Sequence, residues 1–208
     1  MKFDKIMKQS CSFKKKGARD VRKNHYFIAV PIPTEISERL VQLQAELKEL
    51  FPFRSWVHKQ DYHITLAFLG EASSIQLEQV KQAMERIAKS HDSFMLTLDT
   101  ISTFGNRSAP RILWQGVKEE PKLRELRDDV YYACIDIGFS LDQRPFAPHI
   151  TMARKWQGET EFALGKIRAI TAGKVENVSF LADRIVLYQT HLERVPKYEP
   201  LFICPLLQ

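Results

Sequence analysis

Only three cysteines occur in the 208 residues, Cys11, Cys134 and Cys204. An odd number at wide spacing argues against both a disulfide framework and a Cys-x-x-Cys metal knuckle, and a reducing cytoplasm is the expected setting. No run of 18 or more apolar residues is present, and the basic N-terminus lacks the apolar stretch of a secretory signal, so a soluble intracellular protein without membrane contact is expected. The eight glycines never fall as Gly-x-Gly, which removes a glycine-rich phosphate loop, and the Gly-x-Ser-x-Gly elbow of serine hydrolases is missing too. His-x-His and His-Glu-x-x-His are absent, and Asp61 is the one carboxylate near the histidines discussed below. No metal and no cofactor are therefore expected.

Charge is scarce where a nucleic-acid groove would need it. The formal net charge is +6, but residues 1–23 hold nine Lys and Arg against Asp4 and Asp20. The remaining 22 basic and 23 acidic residues leave the body at −1. The high isoelectric point belongs to the tail and gives no ground for nucleic-acid binding by the folded part. Residues 1–23 read as a basic, flexible extension, with an arm for an anionic partner as the sharper alternative. Residues 24–208 read as one bilobal domain.

The body has an ordinary globular composition, 44% apolar and 27% charged over the whole chain. Tyr26 to Val30 forms a short apolar run ended by Pro31 and Pro33, which predicts a buried strand. A helix follows with Ile36, Leu40, Leu43, Leu47 and Leu50 on one face, Thr34 as its expected N-cap and Pro52 closing it. Ser73 or Ser74 is placed to cap a second helix, and Pro121 to open a third that runs to about Ile137. Further strands are expected over Phe94–Leu98, Arg111–Val117, Arg184–Tyr188 and Leu201–Cys204. This order predicts an α+β fold of two similar lobes.

Against that background one motif occurs twice. His63-Ile64-Thr65-Leu66-Ala67 and His149-Ile150-Thr151-Met152-Ala153 lie 86 residues apart. On a strand, His and Thr share one face while Ile and the following apolar residue share the other. Two such strands in one cleft would bring together two imidazoles and two hydroxyls. This set suits displacement at phosphorus, where one imidazole takes a proton, the other gives one, and the hydroxyls hold the non-bridging oxygens. Arg154, five residues after His149, would add a fixed positive charge. The near-identity of the motifs leaves the acid and base roles open, His63 being assigned provisionally to the leaving oxygen and His149 to water. His25, His58, His91 and His191 have no repeated context and are read as solvated or structural.

Paired with its flanks, the His-x-Thr repeat resembles the two-histidine (2H) phosphoesterase superfamily, and within it the bacterial and archaeal RNA 2',3'-cyclic phosphodiesterases, also called the 2'-5' RNA ligase family. The resemblance spans about residues 25–205. It is carried by Tyr26–Val30, Trp56-Val57, His63–Glu71, Pro110–Trp114, Pro145–Arg154 and Leu187–Thr190. It implies a bilobal α+β fold with antiparallel-rich sheets lining a central cleft and helices outside. It also implies metal-free hydrolysis of an RNA terminal 2',3'-cyclic phosphate to a 2'-phosphate, with His63 and His149 catalytic and Thr65, Thr151 and Arg154 on the phosphate. Substrates would be RNA ends or cyclic nucleotides, with no obligate protein partner. Alternatives are a 2',5'-phosphodiesterase, 2'-5' RNA ligation, or a binding module without turnover. Phe68, five residues after His63, is a candidate platform for the terminal base, with a core phenylalanine as its alternative, while Arg111 and Trp114 are weaker candidates.

Overall fold

The structure, a computed structural model, describes residues 24–208. The basic extension at 1–23 lies outside the described residues. The elements run β1 (His25–Pro31), α1 (Thr34–Leu50), β2 (Phe53–Trp56), a 3-10 turn (Lys59–Asp61), β3 (His63–Gly70) and α2 (Ser74–Ala88). They continue with β4 (Phe94–Gly105), β5 (Pro110–Val117), α3 (Pro121–Asp136), β6 (His149–Trp156), α4 (Leu164–Thr171), β7 (Ser179–Ala182), β8 (Arg184–Thr190) and β9 (Tyr198–Pro205).

The expected α+β architecture is present. The strands join in the order β7-β4-β5-β6-β3-β1-β8-β9, with β2 on β6, and every ladder between them is antiparallel. The two HIT strands, β3 and β6, are neighbours at the centre and meet at Ile64↔Ile150. The strand order is symmetric about that pair. It relates β1, which flanks β3, to β5, which flanks β6, and it relates β8 beyond β1 to β4 beyond β5.

The halves are interleaved rather than separate. β4 follows β3 and α2 in the chain, yet pairs with β5 beside the second motif, whereas β8, from the end of the chain, returns to β1 beside the first. Helix α3 packs on β3, and α1 lies against β2 and the 3-10 turn. Long-range pairing therefore makes each lobe depend on residues from both halves. Behind the motifs, Ile64 and Ile150 are completely buried, with Leu66 and Met152 beside them in the apolar core. On β1, Tyr26, Ile28 and Val30 join that core, while Phe27 and Ala29 lie outside it. The strand is buried on both faces because the second face carries the candidate site, which explains its unbroken apolar sequence.

Local expectations met the structure with small differences. Pro33, not Thr34, is the N-cap of α1, and no side chain caps it, because Thr34 is already the first helical residue and a proline ring carries no hydrogen-bond acceptor. Ser73 forms a full capping box with Gln76, and Pro121 opens α3, which ends at Asp136. The expected strand at Phe94–Leu98 runs on to Gly105, and that at Leu201–Cys204 spans Tyr198–Pro205. Short β2, β7 and α4 were not foreseen, since four to eight residues are too few for a clear period. Cys134 and Cys204 are free and buried. Among the described residues no helix is long and apolar enough to cross a membrane.

Candidate active site

Antiparallel pairing at Ile64↔Ile150 sets His63 beside Thr151 and Thr65 beside His149. The four polar side chains thus form a crossed array in which each imidazole neighbours the other motif's hydroxyl. All four are half-buried, between the core and solvent.

Both imidazoles are oriented in the same way. His63 Nδ1 lies 2.7 Å from the carbonyl oxygen of Asp61, and His149 Nδ1 lies 2.7 Å from that of Ala147. A carbonyl only accepts, so each Nδ1 carries the proton and each Nε2 of the neutral ring keeps its lone pair for chemistry. Burial lowers the pKa of His63 to about 4, helped by the positive charges of Arg154 and His149 and opposed by the bond to Asp61. His149 is lowered as well, first by burial and then by Arg154, with the bond to Ala147 opposing. Arg154 therefore acts electrostatically on both rings.

A strand's alternation would put a residue five positions after a histidine on the opposite face. The ladders show why Phe68 and Arg154 escape that rule. Thr65 pairs with Ala29 but Ala67 pairs with Ile28, so Leu66 is an extra residue in β3. Thr151 pairs with Trp114 but Ala153 pairs with Leu113, so Met152 is the corresponding extra residue in β6. Each bulge reverses the parity and returns the fifth residue to the histidine's face. Phe68 is 56% exposed, which removes the core alternative, and its ring lies edge-on to His25 at 6.0 Å. Arg154 occupies the equivalent position on β6. Trp114 shares the site face through its pairing with Thr151, whereas Arg111 is exposed on β5 and pairs with no site residue.

Apart from Trp114, the aromatic neighbours of the two rings were not singled out as site residues by the sequence reading. The His63 ring lies 4.7 Å from Phe27, 6.1 Å from Tyr188 and 5.1 Å, edge to face, from Tyr198. The His149 ring meets Phe104 edge to face at 4.8 Å and Trp114 at 5.9 Å. Burial raises the pKa of Tyr198, and the positive charge of Arg154 opposes that rise. Gly116 pairs with His149, and a Cβ there would meet the Thr100 carbonyl oxygen at 2.7 Å, so only glycine lets β4 approach so closely. Tyr198 and Phe104 reach the site through long-range strand pairing, and no local pattern in the sequence marks them. Among the described residues, no group of three His, Cys, Asp or Glu side chains is placed to hold a metal ion.

This arrangement of two HIT strands agrees with the comparisons to known proteins. The family model for LigT-like phosphoesterases matches residues 30–114 and 116–198, one stretch for each motif. The chain belongs to the LigT-like phosphoesterase family. It is 49% identical over 187 residues to a protein of Geobacillus stearothermophilus named RNA 2',3'-cyclic phosphodiesterase, covering 90% of this chain and 59% of that protein's length. A Bacillus subtilis protein of the same name is 39% identical over 178 residues, covering 86% of this chain and 94% of that one. Among solved structures, E. coli LigT in complex with 3'-AMP superposes with a TM-score of 0.71 at 27% identity, covering 90% of this chain and all of that one. The expected family and its bilobal α+β fold are thus both found.

Proposed function

We propose that this phosphoesterase opens the 2',3'-cyclic phosphate at the end of an RNA to a 2'-phosphate, using His63 and His149 as its base and acid. The crossed array of two Nε2 atoms and two hydroxyls carries this proposal. It offers a proton acceptor and a proton donor on opposite sides of a phosphate held between the strands. Relatives with substantial identity that bear the name of this activity support the same substrate.

In the hydrolytic direction one neutral Nε2 takes a proton from water as the water oxygen bonds to phosphorus. The bond from phosphorus to the 3'-oxygen breaks, and the other imidazole, protonated beforehand, gives its proton to that oxygen. The products are a 2'-phosphate and a 3'-hydroxyl. Thr65, Thr151 and Arg154 hold the non-bridging oxygens through the change. Both imidazoles start neutral in the free site because burial and Arg154 disfavour their charged forms. The anionic phosphate favours protonation of one. Burial lowers His63 to about 4 and His149 by less, so His149 is the more readily protonated ring. This favours His149 as the acid and His63 as the base, the reverse of the provisional division from sequence.

The deciding experiment offers the purified protein a cyclic-phosphate-ended RNA, a 2',5'-linked oligomer and a pair of RNA halves, and compares kcat/KM. The cyclic phosphate is expected to lead, with phosphorus NMR showing a 2'-phosphate and with no effect of chelators. Binding without turnover would identify an RNA-end binding module instead. A bridging sulfur at the 3' position, which leaves without a proton, should rescue His149→Ala and not His63→Ala.

A further inference from the structure

Asp61 is buried, at 5% exposure, in the 3-10 turn immediately before the first motif. A buried carboxylate costs several kcal/mol unless its oxygens are satisfied, so the groups that satisfy it bear on its role. They are backbone N–H groups from the far end of the chain. Lys197 N donates to both oxygens, at 2.9 Å and 3.0 Å, and Tyr198 N donates to Oδ1 at 3.1 Å. These bonds fix the first residue of β9. The backbone carbonyl of Asp61 accepts from His63 Nδ1.

Tyr198, held in this way, has two contacts with the site. Its ring stands edge-on to His63 at 5.1 Å and to Phe27 at 4.9 Å. Its phenol feels the positive charge of Arg154 on β6, across the junction between the lobes, which opposes the rise in pKa that burial causes. The second motif has no such device, since His149 is oriented by the backbone of Ala147, whose side chain offers no polar group.

We propose that Asp61 is a positioning residue that couples the two lobes: its carbonyl sets the His63 ring, and its carboxylate, through Tyr198, sets Arg154. This rests on the site being the two-histidine phosphodiesterase described above. Asp61 touches no substrate. It acts by keeping the imidazole and the guanidinium in register with one phosphate, where an error of about 1 Å costs on the order of 10²-fold in rate.

Asp61→Asn is the informative variant, because it preserves shape while turning one acceptor into an N–H donor that faces the Lys197 N–H. Tyr198→Phe keeps the ring against His63 and removes only the hydroxyl through which Tyr198 and Arg154 influence each other. The charged and titratable groups acting on His63 are Arg154 and His149, with Tyr188 and Tyr198 packed against its ring.

Asp61→Asn should lower kcat on a 2',3'-cyclic mononucleotide by about 10- to 100-fold and raise KM, consistent with loss of a precise alignment. It should also shift the titration of the His63 ring followed by NMR. Tyr198→Phe should leave the melting temperature near wild type and lower kcat/KM about 10-fold. The double variant should be scarcely worse than Asp61→Asn alone, because both changes act along one connection. The proposal is overturned if Asp61→Asn keeps wild-type kcat, KM and His63 titration, or loses only thermal stability, or if the two losses multiply. Should the wild-type protein not turn over the cyclic nucleotide, the activity would fail while the His63 titration in Asp61→Asn still tested the coupling.

Discussion

The two lobes build the same motif on the same scaffold and differ in what they place beside it. In both, a bulge follows Thr, and in both a backbone carbonyl two residues before the histidine commits Nδ1. At the fifth position one lobe has Phe68 and the other has Arg154. Opposite the histidine the first lobe has Pro31 and the second has Gly116, and opposite the threonine stand Ala29 and Trp114. Chemistry that needs two proton carriers is met by symmetry. Under the proposed function, recognition of a nucleotide, which has a base at one end and a phosphate at the other, would be met by breaking that symmetry.

The sharpest test of the shared part is to remove each histidine in turn. His63→Ala and His149→Ala should each lower kcat by about 10² or more, and the double variant should fall little further, because acid and base act as a unit. Turnover near wild type in either single variant would break the equivalence of the lobes.

The fifth position tests the difference between them. Arg154→Ala should cost about 10²-fold in kcat/KM on every substrate, since the phosphate common to all of them loses its fixed charge. Phe68→Ala should cost about 10-fold, expressed in KM and confined to substrates with a base, in line with the energy of stacking one base on an aromatic ring. Steady-state kinetics on a cyclic nucleotide and on an abasic cyclic ribose phosphate separates the two.

A smaller effect belongs to stability. Burial holds His63 at about 4, below the usual value of about 6.5, so the unfolded chain binds its proton first as pH falls. Folding stability from this residue is fully present above about pH 6.5 and is lost progressively toward about pH 4. Denaturant titrations across that window should show the decline, and His63→Gln should flatten it. The smallest expected change is at Gly116→Ala, about 1–3 kcal/mol less stable by thermal melts, because the new methyl must displace the Thr100 carbonyl.

Much of this was legible before any coordinates. The repeated His-Ile-Thr with its apolar backing fixed two strands, their inward and outward faces and the kind of chemistry they support, because alternation along a strand is a local property. Helix starts at Ser73 and Pro121 were equally local, resting on a side chain or ring within one turn of the residue concerned.

Tertiary structure decided what depends on a partner far along the chain. The exchange of β4 and β8 between halves, the approach of Tyr198 to a histidine 135 residues earlier, and the use of Asp61 to hold both follow from which strands pair. The bulges at Leu66 and Met152 belong to the same class. Counting residues puts Phe68 and Arg154 on the wrong face, and only the register against β1 and β5 returns them to the site. Sequence by itself determined the reactive groups, since their protons and hydroxyls are intrinsic to the residues. Their convergence on one face arises from hydrogen-bond register between strands, which no single stretch of chain contains.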